Sequence, residues 1–241
     1  MTAAVRSDIG LIRTQNEDSA WYDEKTGLFA VADGMGGHLA GEVASAMAVD
    51  AIRHMAEEKQ KASFSALSDA FDKANAAILD HAEQHAECRG MGTTLSVLWV
   101  LQEKALIAHM GDSRIYRLRD GKLEQVTRDH SLVQELVQAG IITKEEARVH
   151  PRRNIITRAL GTEWDNQPDL ILEDCRPGDC WLLCSDGLTG MVTDDAIADV
   201  LNRQAPEEAA DTLVRLALEA GGQDNITLII CREEDETWNR D

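Results

Sequence analysis

The chain has little that would suit it to nucleic acid, to a membrane or to an oxidising compartment. Only 24 Lys and Arg stand against 43 Asp and Glu, a formal net charge of −19. Nucleic acid and an anionic bilayer surface both need basic patches, so neither is expected as the main partner. No apolar run approaches the ~20 residues that span a bilayer, and the Met1 region has no basic-then-apolar leader. The five cysteines, Cys88, Cys175, Cys180, Cys184 and Cys231, are odd in number and form no CxxC pair. They read as reduced thiols rather than a disulfide frame or a zinc site. Aromatics make up 4% of a chain that is 44% hydrophobic, so the core is mostly aliphatic. No repeat, low-complexity stretch or Pro/Ser linker interrupts the 241 residues. One domain is expected over 1–241, with an acidic, frayed tail at 232–241. The chain reads as a cytoplasmic protein, monomeric by default.

What the sequence does have is a set of acids beside glycine. In Leu28 to Glu42, LFAVADGMGGHLAGE, an apolar run of strand length breaks at Asp33-Gly34. A loop with Gly34, Gly36, Gly37 and Gly41 follows, and past Glu42 the pattern is helical. A strand can fix a carboxylate, and glycine lets a backbone carbonyl approach the same cation. Taken alone, the stretch is better explained as a glycine turn, because such turns are common. The arrangement recurs, however. The run Cys180 to Ser185 ends in Asp186-Gly187, Gly111-Asp112 follows the run Lys104 to Met110, and Asp224 precedes Ile226 to Cys231.

Between these points the chain alternates helix and strand. Apolar residues at helical spacing predict helices from Glu42 to Lys59 and from Ser63, a good N-cap, to about Glu87. His81 and His85 share a face of the second helix, but their polar neighbours make them a solvated face. Thr93 to Val100 and Lys104 to Met110 read as paired strands, and Asp120-Gly121 as a hairpin turn. Short helices are predicted at Ser131 to Ala139 and Thr143 to Val149, and longer ones at Asp194 to Asn202 and Pro206 to Ala220. The stretch from His150 to Asp169 is irregular and locally basic, which suits either a connector or a segment closing over a site.

The polar knot RTQNED adds Arg13, Glu17 and Asp18 to Asp33, Asp112, Asp186 and Asp224. Hard oxygen ligands without Cys or His favour Mg²⁺ or Mn²⁺. Two such ions bridged by one aspartate can lower the pKa of a water and aim it at phosphorus, with Arg13 clamping the phosphoryl oxygens. The loop GMGGHLAG lacks the Gly-Lys-Ser/Thr ending of a nucleotide-binding P-loop.

RTQNED, FAVADGMGGH, GMGTTL, GDSRIYR, LCSDGL and GGQDNIT, in this order, resemble the PPM (PP2C-type) metal-dependent protein serine/threonine phosphatases in their compact bacterial form. The resemblance runs from about Val5 to Cys231. It implies an α+β fold, a four-layer αββα sandwich of two central antiparallel sheets with helices outside. By resemblance, Asp33 bridges two Mn²⁺ or Mg²⁺ ions, the Gly34 carbonyl binds one of them, and Asp186 and Asp224 complete the second. Glu17 and Asp18 match the family's acidic pair. Asp112 matches the aspartate of a third, weaker metal, shared with Asp186. Arg13 matches the phosphate-binding arginine, and about 143–165 matches the family's flap. The implied reaction is in-line attack of a metal-bridging hydroxide on phosphoserine or phosphothreonine, with no phosphoenzyme. A Ser/Thr kinase and its targets are the implied partners. Where many relatives have a histidine directly after Asp-Gly, this chain has Met35. His38 is the nearest candidate for protonating the leaving oxygen, with a metal-bound water as the alternative. The competing reading is a catalytically silent phosphoprotein-binding or scaffold protein, which loss of site acids would favour; none is missing.

Overall fold

The computed structural model describes residues 1–36, 40–58, 61–162 and 167–233. In chain order the elements are β1 (Thr2–Asp8), β2 (Asp18–Asp23), β3 (Leu28–Met35), α1 (Ala40–Glu57), α2 (Phe64–Gln84), β4 (Gly92–Thr93), β5 (Leu95–Val100), β6 (Lys104–Met110), β7 (Arg114–Arg119) and β8 (Lys122–Gln125). Then follow α3 (Leu132–Gln138), α4 (Lys144–Arg148), β9 (Asp169–Asp174), β10 (Cys180–Cys184), α5 (Asp186–Thr189), α6 (Asp194–Arg203), α7 (Pro206–Glu219) and β11 (Ile226–Arg232).

The strands form two antiparallel sheets. One is five-stranded in the order β1-β11-β10-β7-β8; the other is six-stranded, β2-β3-β5-β6-β9 with β4 beside β3. The continuous apolar run of β3 follows from burial on both faces. Phe29 and Val31 point between the sheets to meet Trp181, Leu183 and Ile229. Leu28, Ala30 and Ala32 point outward under α1 and α2, against Ile52, Leu67 and Phe71. On the far side, Leu182, Leu228 and Ile230 pack against Ile197, Leu201 and Leu213 of α6 and α7. This is the αββα sandwich that the resemblance implies. Among the described residues no helix is long and apolar enough to cross a membrane.

Local signals explain most boundaries. Ser63 caps α2 by accepting from Ala66 N, and Thr143 and Glu146 form a reciprocal capping box on α4. Asp120 and Gly121, at φ 49° and 76°, make the β7–β8 turn that their sequence predicts. Several expectations need correction. β3 does not stop at Asp33 but continues to Met35, because Gly34 and Met35 pair with Thr93 and Gly92 of β4. The second helix ends at Gln84 rather than Glu87 and gives way to a single 3₁₀ turn. β9 begins at Asp169, where the irregular region ends, and was not anticipated. The last strand runs through Arg232, into the stretch expected to be frayed; 234–241 lie outside the described residues.

Candidate active site

The acids converge because the loops carrying them are held together by backbone contacts. The β2–β3 register places Asp18 directly opposite Asp33. On the other flank, Asp33 N donates to Thr94 Oγ1 at 2.8 Å, while Thr93 Oγ1 and Thr94 N donate to Asp33 O at 3.0 and 2.9 Å. Thr94 Oγ1 also shares a 2.7 Å hydrogen bond with Ser113 Oγ, which ties Asp33 to the Gly111-Asp112-Ser113 turn. That turn needs glycine. Gly111 sits at φ +109°, and a Cβ there would lie 2.4 Å from Thr94 Cγ2. Asp186 opens α5 directly after β10, and Gly187 brings it up to the Asp224-Asn225 loop. A Cβ at Gly187 would meet Asn225 O at 1.9 Å. Arg13 Nη2 donates to Asp224 Oδ2 at 2.8 Å, and Nη1 lies 4.0 Å from Glu17 Oε2. Asp18, Asp33, Asp112, Asp186 and Asp224 thus share one end of the sandwich, with Glu17 and Arg13 at its rim.

The electrostatics follow from that crowding. Burial, then repulsion from Asp18, Asp186, Asp112 and Asp224, raises the Asp33 carboxyl well above its ordinary value. Burial and then Asp186 do the same to Asp112. Burial pushes Asp18 up to about 7, and burial and then Asp224 push Asp186 up to about 6. Burial also raises Glu17. Such groups take up negative charge readily only when a cation shares the space. Two oxygens, Asp18 Oδ1 and Asp112 Oδ1, are buried with no hydrogen-bond partner. Orphaned anionic oxygens in an all-oxygen donor set fit a hard divalent cation. Among the described residues no three acidic, histidine or cysteine side chains already form a coordination group. The framework holds the acids around the space, and their side chains do not by themselves close it.

Residues 13–219 match the family model described as protein phosphatase 2C. The chain belongs to the protein phosphatase 2C family. This PP2C chain is 44% identical over 228 residues to the serine/threonine protein phosphatase PstP of Mycobacterium tuberculosis (strain H37Rv), covering 94% of the chain and 44% of that relative. It therefore spans less than half the length of the mycobacterial protein. It is 41% identical over 240 residues to the serine/threonine phosphatase stp of Listeria innocua, covering 95% of each. Among solved structures it superposes on the PstP catalytic domain in complex with two manganese ions with a TM-score of 0.90, at 41% identity over 97% of this chain and 98% of that one.

Sequence reasoning missed the polar residues that hold the acids in place. The buried Asn225 donates from Nδ2 to Ile9 O and Gln15 O, both at 2.9 Å, and accepts Glu17 N at Oδ1 at 2.8 Å. Ser185 Oγ donates to Asp18 Oδ2 at 2.7 Å and accepts Thr227 N at 3.0 Å. His130 grips Gly111 twice: its N donates to Gly111 O at 2.7 Å, and its Nδ1 accepts Gly111 N at 3.1 Å. With Nδ1 accepting, the ring proton sits on Nε2, 3.1 Å from Asp169 Oδ2. Arg158 Nη1 donates to the other oxygen of Asp169 at 2.7 Å. From sequence, Asn225 and Ser185 were visible only as neighbours of the acids. In the stretch expected to be a flap, Arg148 Nη2 lies 3.5 Å from Thr189 O of α5, and 163–165 lie outside the described residues. His38 also lies outside the described residues. His81 and His85 stack at 4.2 Å on α2 and its C-cap and play no part in the site.

Proposed function

We propose that this PP2C-family chain is a metal-dependent protein serine/threonine phosphatase. One observation carries the reading. Five aspartates, two of them with orphaned buried oxygens, face one space beside an arginine. The names of the mycobacterial and listerial relatives, and the manganese in the PstP structure, support it. Asp33, the Gly34 carbonyl, Asp186 and Asp224 would hold two Mn²⁺ or Mg²⁺ ions, with Asp18 and Glu17 supporting them and Asp112 and Asp186 serving a third. When bound, the ions supply charge neutralisation, polarise the phosphoryl group and lower the pKa of water.

The remaining work falls to the chain itself. Arg13 presents a fork that suits phosphoryl oxygens, and its bond to Asp224 aims it over the acids. Ser185 fixes the Asp18 rotamer by donating to one oxygen and leaving the other to face inward. Asn225 holds the Arg13–Glu17 loop against Asp224. His38 is assigned the leaving-group proton on its sequence position alone. The natural substrates are phosphoserine and phosphothreonine proteins, with a Ser/Thr kinase as the opposing enzyme.

The purified protein is expected to hydrolyse p-nitrophenyl phosphate and phosphothreonine peptides only with added Mn²⁺ or Mg²⁺. Asp33→Asn and Asp224→Asn should abolish turnover while circular dichroism keeps the fold. Full activity in EDTA, or in either variant, would refute the metal mechanism. A strong preference for phosphotyrosine peptides would refute the Ser/Thr assignment, and binding of phosphoproteins without turnover would favour the scaffold reading.

A further inference from the structure

Beside Arg13 the chain exposes apolar side chains on a backbone that cannot turn them away. Leu11 and Ile12 are 64% and 69% exposed, and Ile9 is 38% exposed. Exposed side chains of this size on a free loop would mean little. This loop is fastened at several points. Leu11 N donates to Gly222 O at 2.7 Å, and Gly10 N donates to Asp8 Oδ1 at 2.8 Å. Asn225 Nδ2 holds Ile9 O and Gln15 O on either side. Gly10, at φ +79°, presses so close to the opposite loop that a Cβ would lie 2.3 Å from Asp224 O. At φ +47°, Gly222 leaves room for Leu11: its Cβ position is 3.0 Å from Leu11 Cγ and 3.1 Å from Leu218 Cδ2. The result is a preformed apolar shelf running from the end of α7 through Leu11 and Ile12 to Arg13.

We infer that this shelf receives a bulky apolar side chain of the substrate, one or two residues from the phosphorylated Ser or Thr. The inference rests on the phosphatase reading and specifies its substrate class. If the phosphoryl group lies at Arg13, a peptide running alongside advances about 3.8 Å per residue between Cα atoms. Leu11 and Ile12 stand two and one residues from Arg13 along a fastened loop, so they match side chains one or two positions from the phosphoresidue. Shape and exposure select an apolar partner: Leu11 and Ile12, 64% and 69% exposed next to Arg13, lose water only when an apolar side chain covers them, while Asp8, held on Gly10 N of the same loop, disfavours an acidic flank. A rigid shelf also spares the ordering cost that a mobile loop would add on binding.

The test compares phosphothreonine peptides carrying Leu, Ser or Asp at each position within two residues of the phosphothreonine, with p-nitrophenyl phosphate as a small control. The wild-type protein with Mn²⁺ should favour Leu over Ser at one such position on the order of tenfold in kcat/KM, with Asp poorest. In Leu11→Ser/Ile12→Ser that advantage should vanish, through KM, while p-nitrophenyl phosphate turnover and its Mn²⁺ dependence stay unchanged. Ile12→Ser alone, at the more exposed position, should lose part of it with an unaltered melting temperature. Equal rates for Leu and Ser flanks in the wild type, or a Leu advantage that survives in the variants, would overturn the shelf while leaving the phosphatase reading intact. A wild-type protein with no metal-dependent turnover of any phosphomonoester would remove the phosphatase reading, and the shelf with it.

Discussion

Asn225 is the residue on which a single substitution should separate chemistry from shape. Its side chain makes three bonds to backbone groups: Nδ2 to Ile9 O and to Gln15 O, and Oδ1 from Glu17 N. The amide orientation is dictated by its partners, since the carbonyls can only accept and the Glu17 N–H can only donate. Asn225→Ala strands all three groups in a site whose asparagine is 4% exposed. At about 1 kcal/mol net for each lost bond, the cost is about 3 kcal/mol. For a domain of this size, about 2–4 °C per kcal/mol gives a drop in melting temperature of about 6–12 °C. Asn225→Asp keeps the shape and the acceptor for Glu17 N, but it turns an acceptor towards two carbonyls and adds an acid to a crowded set. It should therefore be at least as damaging as Asn225→Ala. Scanning calorimetry would give the stability order, and p-nitrophenyl phosphate turnover against Mn²⁺ would show a weakened metal response in both variants. A melting temperature within 2 °C of wild type for the alanine variant, or an aspartate variant milder than alanine, would refute the argument from donors and acceptors.

Other expectations follow from neighbouring positions. His109, buried between Ser96 Oγ and Arg128 O, is pushed down to about 4, chiefly by burial and then by His130. The unfolded imidazole protonates near 6.5 and the folded one only near 4, so its contribution is complete above about 6.5 and is lost as pH falls towards 4. His109→Asn should flatten the rise of melting temperature with pH across that window, so that its difference from wild type changes between pH 4 and 6.5; a slope as steep as wild type's would show that His109 is not the group responsible. His130→Ala leaves Gly111 N without its acceptor, whereas His130→Asn can replace Nδ1. The asparagine variant should recover at least half of the lost stability and metal response by the same assays. Gly187→Ala would put a methyl group 1.9 Å from Asn225 O. It should lose at least as much stability as Asn225→Ala and show a weakened Mn²⁺ response.

The fold was legible wherever local chemistry sets it. Ser63, Thr143 and Pro206 begin their helices, Asp120-Gly121 turns its hairpin, and LFAVA and CWLLC are core strands. β9 escaped because DLILED has a single apolar run and lies on a sheet edge, where Leu170 and Leu172 remain exposed. The end of β3 was misplaced because its last pairings depend on β4, a strand of two residues more than fifty positions away. The acids were legible because each sits at a junction between an apolar run and a glycine or amide. The side chains that aim them were not, because they act at a distance. Ser185 serves Asp18 across a separation of 167 residues, and Asn225 serves Glu17 across 208. No pattern within one stretch of sequence records such a bond.

Those separations also bear on when the site comes into being during folding. Arg13, Glu17 and Asp18 leave the ribosome well before the groups that orient them, Ser185 and Asn225, are made. β1 stays unpaired in its sheet until β11 arrives, since among the described residues β11 is its sole strand partner there. Long-range closure of this kind is slow relative to hairpins and helices. Chain synthesis at about 5–20 residues per second adds roughly ten seconds or more before Asn225 exists. A half-made chain then holds its acids without the spacing that grips an ion, so metal affinity becomes a late marker of completed folding. Protection of the protein by Mn²⁺ should consequently appear only after β11 has docked, and a chain ending before Ile226 should show none of it.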